Sequence, residues 1–98
     1  AGLPLFSPRG TILREMTSEY SLSLRGVSGF EKVWTPHITK MDLFKASGHY
    51  AKFGDELFIV HSQVSGEDFA LKPMNCPHHA QIFASRPRTY KEMPVRYM

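Results

Sequence analysis

Leu57–Phe58–Ile59–Val60–His61, the turn Val64–Ser65–Gly66–Glu67, Asp68–Phe69–Ala70–Leu71–Lys72, and then Cys76 through Ser85 follow one another along the chain. The two five-residue pieces predict strands, and the Ser-Gly turn between them predicts that they pair as a hairpin. Proline is tolerated in the first turn of a helix, so Cys76–Pro77 predicts a helix that continues through Ala80, Ile82 and Phe83 to Ser85. A hairpin leading directly into a helix points to an α+β fold.

Working outward, Ser7–Pro8 predicts a second helix start, with Ser as the cap and Pro at the first helical position. Ile12, Met16, Tyr20 and Leu24 then recur every fourth residue, with Leu13 beside them, as one apolar stripe that Gly26 and Gly29 stop. Phe30–Trp34 alternates apolar and polar residues and predicts a strand buried on one face, ended by Pro36. Asp42 is expected to cap a short helix over Leu43–Ser47, stopped by Gly48. An Arg-Pro-Arg loop follows the Cys76–Ser85 helix, and a last strand is expected over Pro94–Met98. No internal boundary interrupts residues 1–98, so a single domain is expected: short antiparallel strands flanked by helices.

The chain has 98 residues, 42% of them hydrophobic, which suits a core-forming polypeptide and argues against disorder. No apolar run approaches the roughly 20 residues that cross a bilayer, so no membrane is expected as a partner. The start, Ala1 to Phe6, lacks the features of a signal peptide, and a lone cysteine forms no internal disulfide; both fit a cytoplasmic setting. The net charge of +3 is modest. Lys72, Arg86, Arg88, Lys91 and Arg96 supply much of the positive charge, but an excess of this size usually marks a solvated surface.

That lone cysteine, Cys76, stands at a helix N-terminus, where the dipole favours the thiolate that binds zinc. His78 and His79 follow closely, yet a structural zinc site needs four protein ligands, usually in paired spacings, and no such pairing exists here. For His79 a structural role is expected over metal ligation, and for His78 an exposed position. His37 and His61 read as structural. Lys72 reads as a solvated residue at a strand end that has the reach to meet a phosphate. Nothing fixes a partner for Asp55 or Glu56.

The string Lys72–Pro73–Met74–Asn75–Cys76–Pro77 with His79 resembles the signature of threonyl-tRNA synthetases, which are class II aminoacyl-tRNA synthetases. Three other landmarks stand in the matching order. Gly29–Pro36 after the long helix looks like class II motif 1. Ser47–Gly48–His49–Tyr50 looks like the family's Ser-Gly-His-Trp segment, with Tyr for Trp. Pro87–Arg96 resembles the run into motif 2. His78 departs from the family, many of whose members have Gly there.

The resemblance implies the N-terminal half of a catalytic domain, from motif 1 to the start of motif 2. Part of the class II antiparallel sheet would lie here, while the motif 2 arginine, motif 3 and the zinc histidines are expected beyond Met98. The implied activity is that of a threonine–tRNA ligase: ATP, with Mg, activates threonine to threonyl-adenylate, and the threonyl group passes to the 3′ end of tRNA(Thr). The fragment by itself would be inactive. Zn would take Cys76 as one ligand and leave a position open for the substrate. Such a site rejects valine because a pocket built to bond a hydroxyl discriminates by about 10⁴–10⁵. Met74 would line the amino-acid pocket, although a methionine is equally a core filler. His49 would assist proton transfer near the tRNA terminal ribose, a task a neutral imidazole suits. Motif 1 would build a homodimer.

Two readings from other classes compete. A catalytically dead synthetase-like module, kept for dimerisation or RNA binding, would share these motifs. A small independent zinc domain ranks last, because its four local ligands are missing.

Overall fold

The computed structural model describes residues 2–98, and these divide into two compact units: the chain up to Val33 with Tyr90–Met98, and Trp34–Thr89. The first unit is dominated by helix α1, Pro8–Val27. Ser7 caps it as its sequence predicts, accepting from the Gly10 N–H at 3.3 Å. At its other end the Ser28 and Gly29 amides donate to the Arg25 and Gly26 carbonyls. None of the helix is buried: Ile12, Leu13, Met16, Tyr20 and Leu24 are all more than half exposed.

The predicted strand Phe30–Trp34 does not form as a strand. Only Glu31 pairs, in a single bridge to Tyr97, and the pairing is parallel. The Glu31 N–H donates to the Arg96 carbonyl, the Met98 N–H to Glu31, and the Val33 N–H to Met98. The expected strand at Pro94–Met98 is reduced to this same contact. A strand exists only where a partner lies alongside it, and alternation within one segment does not supply that partner.

In the second unit, three strands form an antiparallel sheet: β1 (Ile38–Lys40), β2 (Ile59–His61) and β3 (Asp68–Leu71), in the order β1-β3-β2. The hairpin is the predicted one. Its register pairs Ile59 with Ala70 and His61 with Asp68, and Gly66 takes a positive φ of 68° in the turn. Strand β1, unannounced by any local pattern, pairs Ile38 with Leu71 and Lys40 with Phe69. Two side-chain pairs lace the sheet: Lys40 Nζ to Glu67 Oε1 at 2.8 Å and His61 Nδ1 to Asp68 Oδ1 at 2.6 Å. The bond to Glu67 raises the pKa of Lys40.

Helix α2, Met41–Ala46, starts straight from β1 with Lys40 at its cap position. Asp42 therefore lies inside the first turn, favourably placed for the helix dipole, and is not the expected cap. Gly48, at φ 79°, leads the chain into helix α3, His49–Phe53, for which the sequence reading assigned no element. Helix α4, Cys76–Ala84, follows β3 and stops one residue short of its expected end.

Met41 and Phe44 of α2 close over Ala70 on the central strand, and Leu57 packs against them. Phe44 and Ala70 have no exposed surface. Among the described residues no helix is long and apolar enough to cross a membrane.

Candidate functional site

The candidate site residues His49, Met74 and Cys76 lie in the second unit, at or beside the junctions where its short elements meet. Ser47 and Gly48 separate α2 from α3, and Pro73–Asn75 joins β3 to α4. A shallow depression of about 270 Å³ is lined by Ser47, Gly48, His49, Lys52, Phe53 and Met74. His49 and Met74, far apart in sequence, thus share one surface. On its other side Met74 joins Phe53, Glu56, Leu57 and Pro73 around a smaller hollow of about 180 Å³. Met74 is nearly half exposed, so it is a wall residue and not core filler.

His49 is held from two sides. Its Nδ1 lies 2.8 Å from Ser47 Oγ, and its ring lies 6.2 Å from that of Phe53. Lys52 brings a positive charge to the same depression and places its ammonium 5.3 Å from the centre of the Phe53 ring.

Cys76 is free and exposed at the first position of α4. An accessible thiol there has the chemistry for one zinc bond. The described residues contain no group of three or more His, Cys, Asp or Glu able to hold a metal, so they do not form a zinc site by themselves.

His78 is buried, not exposed as expected: 6% of its surface reaches solvent, and neither ring nitrogen has a hydrogen-bond partner. Its ring meets that of Phe44 edge-on, with centroids 6.3 Å apart. Burial, with lesser contributions from Lys72 and His79, lowers its pKa. No motif signalled this position, because the face of α4 that turns inward is set by Phe44.

Lys72 is partly buried and its ammonium is engaged. Its ammonium donates to the Thr35 hydroxyl at 2.7 Å and to the Thr35 carbonyl at 3.3 Å. Asp55 and Glu56 lie in a short 3₁₀ turn, exposed, beside the depression's rim residues Lys52 and Phe53.

No model of a known protein family matches the chain. It is 45% identical over 97 residues to the threonine–tRNA ligase of Flavobacterium johnsoniae, covering 98% of this chain and 15% of that protein. The chain thus spans about a seventh of the length of such curated relatives. The solved RNA binding domain of threonyl-tRNA synthetase from Cryptosporidium parvum Iowa II superposes with a TM-score of 0.88 at 31% identity, over 98% of this chain and 24% of that one. Giardia lamblia prolyl-tRNA synthetase, solved with prolyl-adenylate, superposes at 0.82 over 98% of this chain and 20% of that one. At 22% identity that second likeness shows the fold alone. The α+β arrangement expected from the sequence is therefore that of a synthetase domain.

Proposed function

We propose that these 98 residues are a segment of a threonine–tRNA ligase, drawn from one class II catalytic domain between motif 1 and the start of motif 2. The observation that carries this reading is the 45% identity sustained along the chain. The depression that unites His49 with Met74 supports it. In the complete cytoplasmic ligase, threonine and magnesium-bound ATP would give threonyl-adenylate, and the threonyl group would pass to the 3′ end of tRNA(Thr). The segment alone would not catalyse either step.

Each residue has a role in this reading. Met74 forms part of the amino-acid pocket. His49 faces the tRNA terminus and accepts the proton of the attacking ribose hydroxyl. Cys76 supplies one bond to zinc, the remaining ligands coming from outside these residues. When bound, zinc supplies an open coordination position at which a hydroxyl-bearing amino acid is told from its isostere. The exposed apolar stripe of α1 and the Gly29–Pro36 segment form a twofold interface in the intact protein.

The test is His49→Ala in the complete ligase. A general base contributes about 10²–10⁴-fold, so transfer to tRNA should slow by that range while ATP–pyrophosphate exchange persists. Equal loss in both assays would reduce His49 to a structural residue.

A second reading is favoured by one observation, the likeness to a solved RNA binding domain. In it the segment binds RNA without chemistry of its own. His49→Ala would then slow neither step, and tRNA affinity would respond to the surface cations instead.

A further inference from the structure

We propose that Ser47 is a positioning residue for His49: its hydroxyl holds the imidazole as the Nδ1–H tautomer, leaving the lone pair on Nε2 to take up a proton. This rests on the reading of His49 as the proton acceptor in transfer.

A serine hydroxyl has one proton to give and two lone pairs to receive with. Ser47 Oγ touches two groups: the Phe44 carbonyl oxygen at 3.3 Å and His49 Nδ1 at 2.8 Å. A carbonyl can only accept, whereas an imidazole nitrogen can do either, depending on the tautomer.

Phe44 has no exposed surface, so water does not serve its carbonyl. The amide that would ordinarily reach it, that of Gly48, turns away and donates to the Lys45 carbonyl at 3.3 Å. Giving the hydroxyl proton to His49 would therefore orphan a buried acceptor, which is the costlier error. His49 is only partly buried and holds its proton on either nitrogen at little cost. The hydroxyl proton goes to Phe44, and Nδ1 must carry the proton of the second bond. Nε2 is then the basic nitrogen, in a side chain that lines the depression with Met74.

The geometry also explains why this reaches the chemistry. Once Nε2 takes a proton, the imidazolium keeps its Nδ1–H···Oγ bond, and a charged donor bonds more strongly than a neutral one. Removing Oγ takes away that bond and leaves the tautomer and the ring orientation unfixed.

The experiment compares Ser47→Ala and Ser47→Thr in the complete ligase by single-turnover transfer from preformed adenylate, beside ATP–pyrophosphate exchange. Ser47→Ala should slow transfer about tenfold, the upper range for one hydrogen bond. Exchange should stay near wild type. Ser47→Thr, which keeps the hydroxyl, should behave as wild type in both readouts.

Unchanged transfer in Ser47→Ala, with His49→Ala slow, would overturn the proposal and leave the reading of His49 standing. A loss shared with exchange, or one not rescued by threonine, would make Ser47 a fold residue and also overturn it. Were His49→Ala itself harmless, the reading of the site would fall first and this proposal with it.

Discussion

Lys72 Nζ donates to Thr35 Oγ1 at 2.7 Å, tying the residue after β3 to the segment that precedes β1. The Lys72 N–H donates to the His37 carbonyl at 2.9 Å, so backbone and side chain fasten the same stretch. A lysine whose charge is engaged in this way, and is partly buried, serves the fold before any ligand.

Replacing Thr35 with Val and Lys72 with Met, singly and together, measures that tie. Hydrogen bonds to charged groups contribute about 1.5–3 kcal/mol, and partial exposure brings the expected coupling to about 1 kcal/mol. Urea unfolding of the four proteins gives the coupling directly. Additive effects would show that the two side chains do not depend on each other.

His78 should make stability fall on mild acidification. Its folded pKa is lowered from 6.5, by burial first. Below about pH 6.5 the unfolded chain then binds a proton that the folded one refuses, and stability drops as pH falls. Above that pH the effect vanishes. His78→Leu removes two unpaired buried nitrogens and should leave stability at pH 7 equal or higher by about 1 kcal/mol, with a shallower acid slope. An unchanged slope would assign the acid sensitivity to another histidine.

Cys76→Ser in the complete ligase should abolish stoichiometric zinc, because a hydroxyl is a poor substitute for a thiolate ligand. Metal analysis of purified protein reads this without any activity assay. The 98-residue chain should hold zinc weakly or not at all, since its described residues include no group of three or more donors. Full zinc in the Ser variant would remove Cys76 from the ligand set.

The α1 stripe should matter to assembly more than to the fold. Met16 and Tyr20 are 63% and 67% exposed, so Met16→Asp with Tyr20→Asp costs little buried area in this unit. In the complete ligase the pair should turn a dimer into a monomer at micromolar concentration, by light scattering. A dimer that survives both charges would place the interface elsewhere.

Local signals were enough for much of this chain. Ser7–Pro8 and the four-residue apolar spacing gave α1, Gly66 gave the hairpin turn, and Cys76–Pro77 gave the start of α4. Each works within a few residues, through a cap, a left-handed turn or a fixed φ, so a linear reading finds it. The Ser-Gly-His and Pro-Met-Asn-Cys strings point to His49, Met74 and Cys76 only through a family resemblance, and their roles stay proposals.

Other features depended on partners distant in sequence. Strand β1 is three residues long, with no alternation to betray it, and exists because β3 offers a ladder to Ile38–Lys40. Phe30–Trp34 had the alternation yet found one parallel bridge, and Trp34 is left 80% exposed. His78 looked like a surface residue until Phe44 determined which side of α4 turns inward. The tie from Lys72 to Thr35 and the depression shared by His49 and Met74 are of the same kind. Strand pairing and burial are relations between separated segments, and only the folded chain supplies both members.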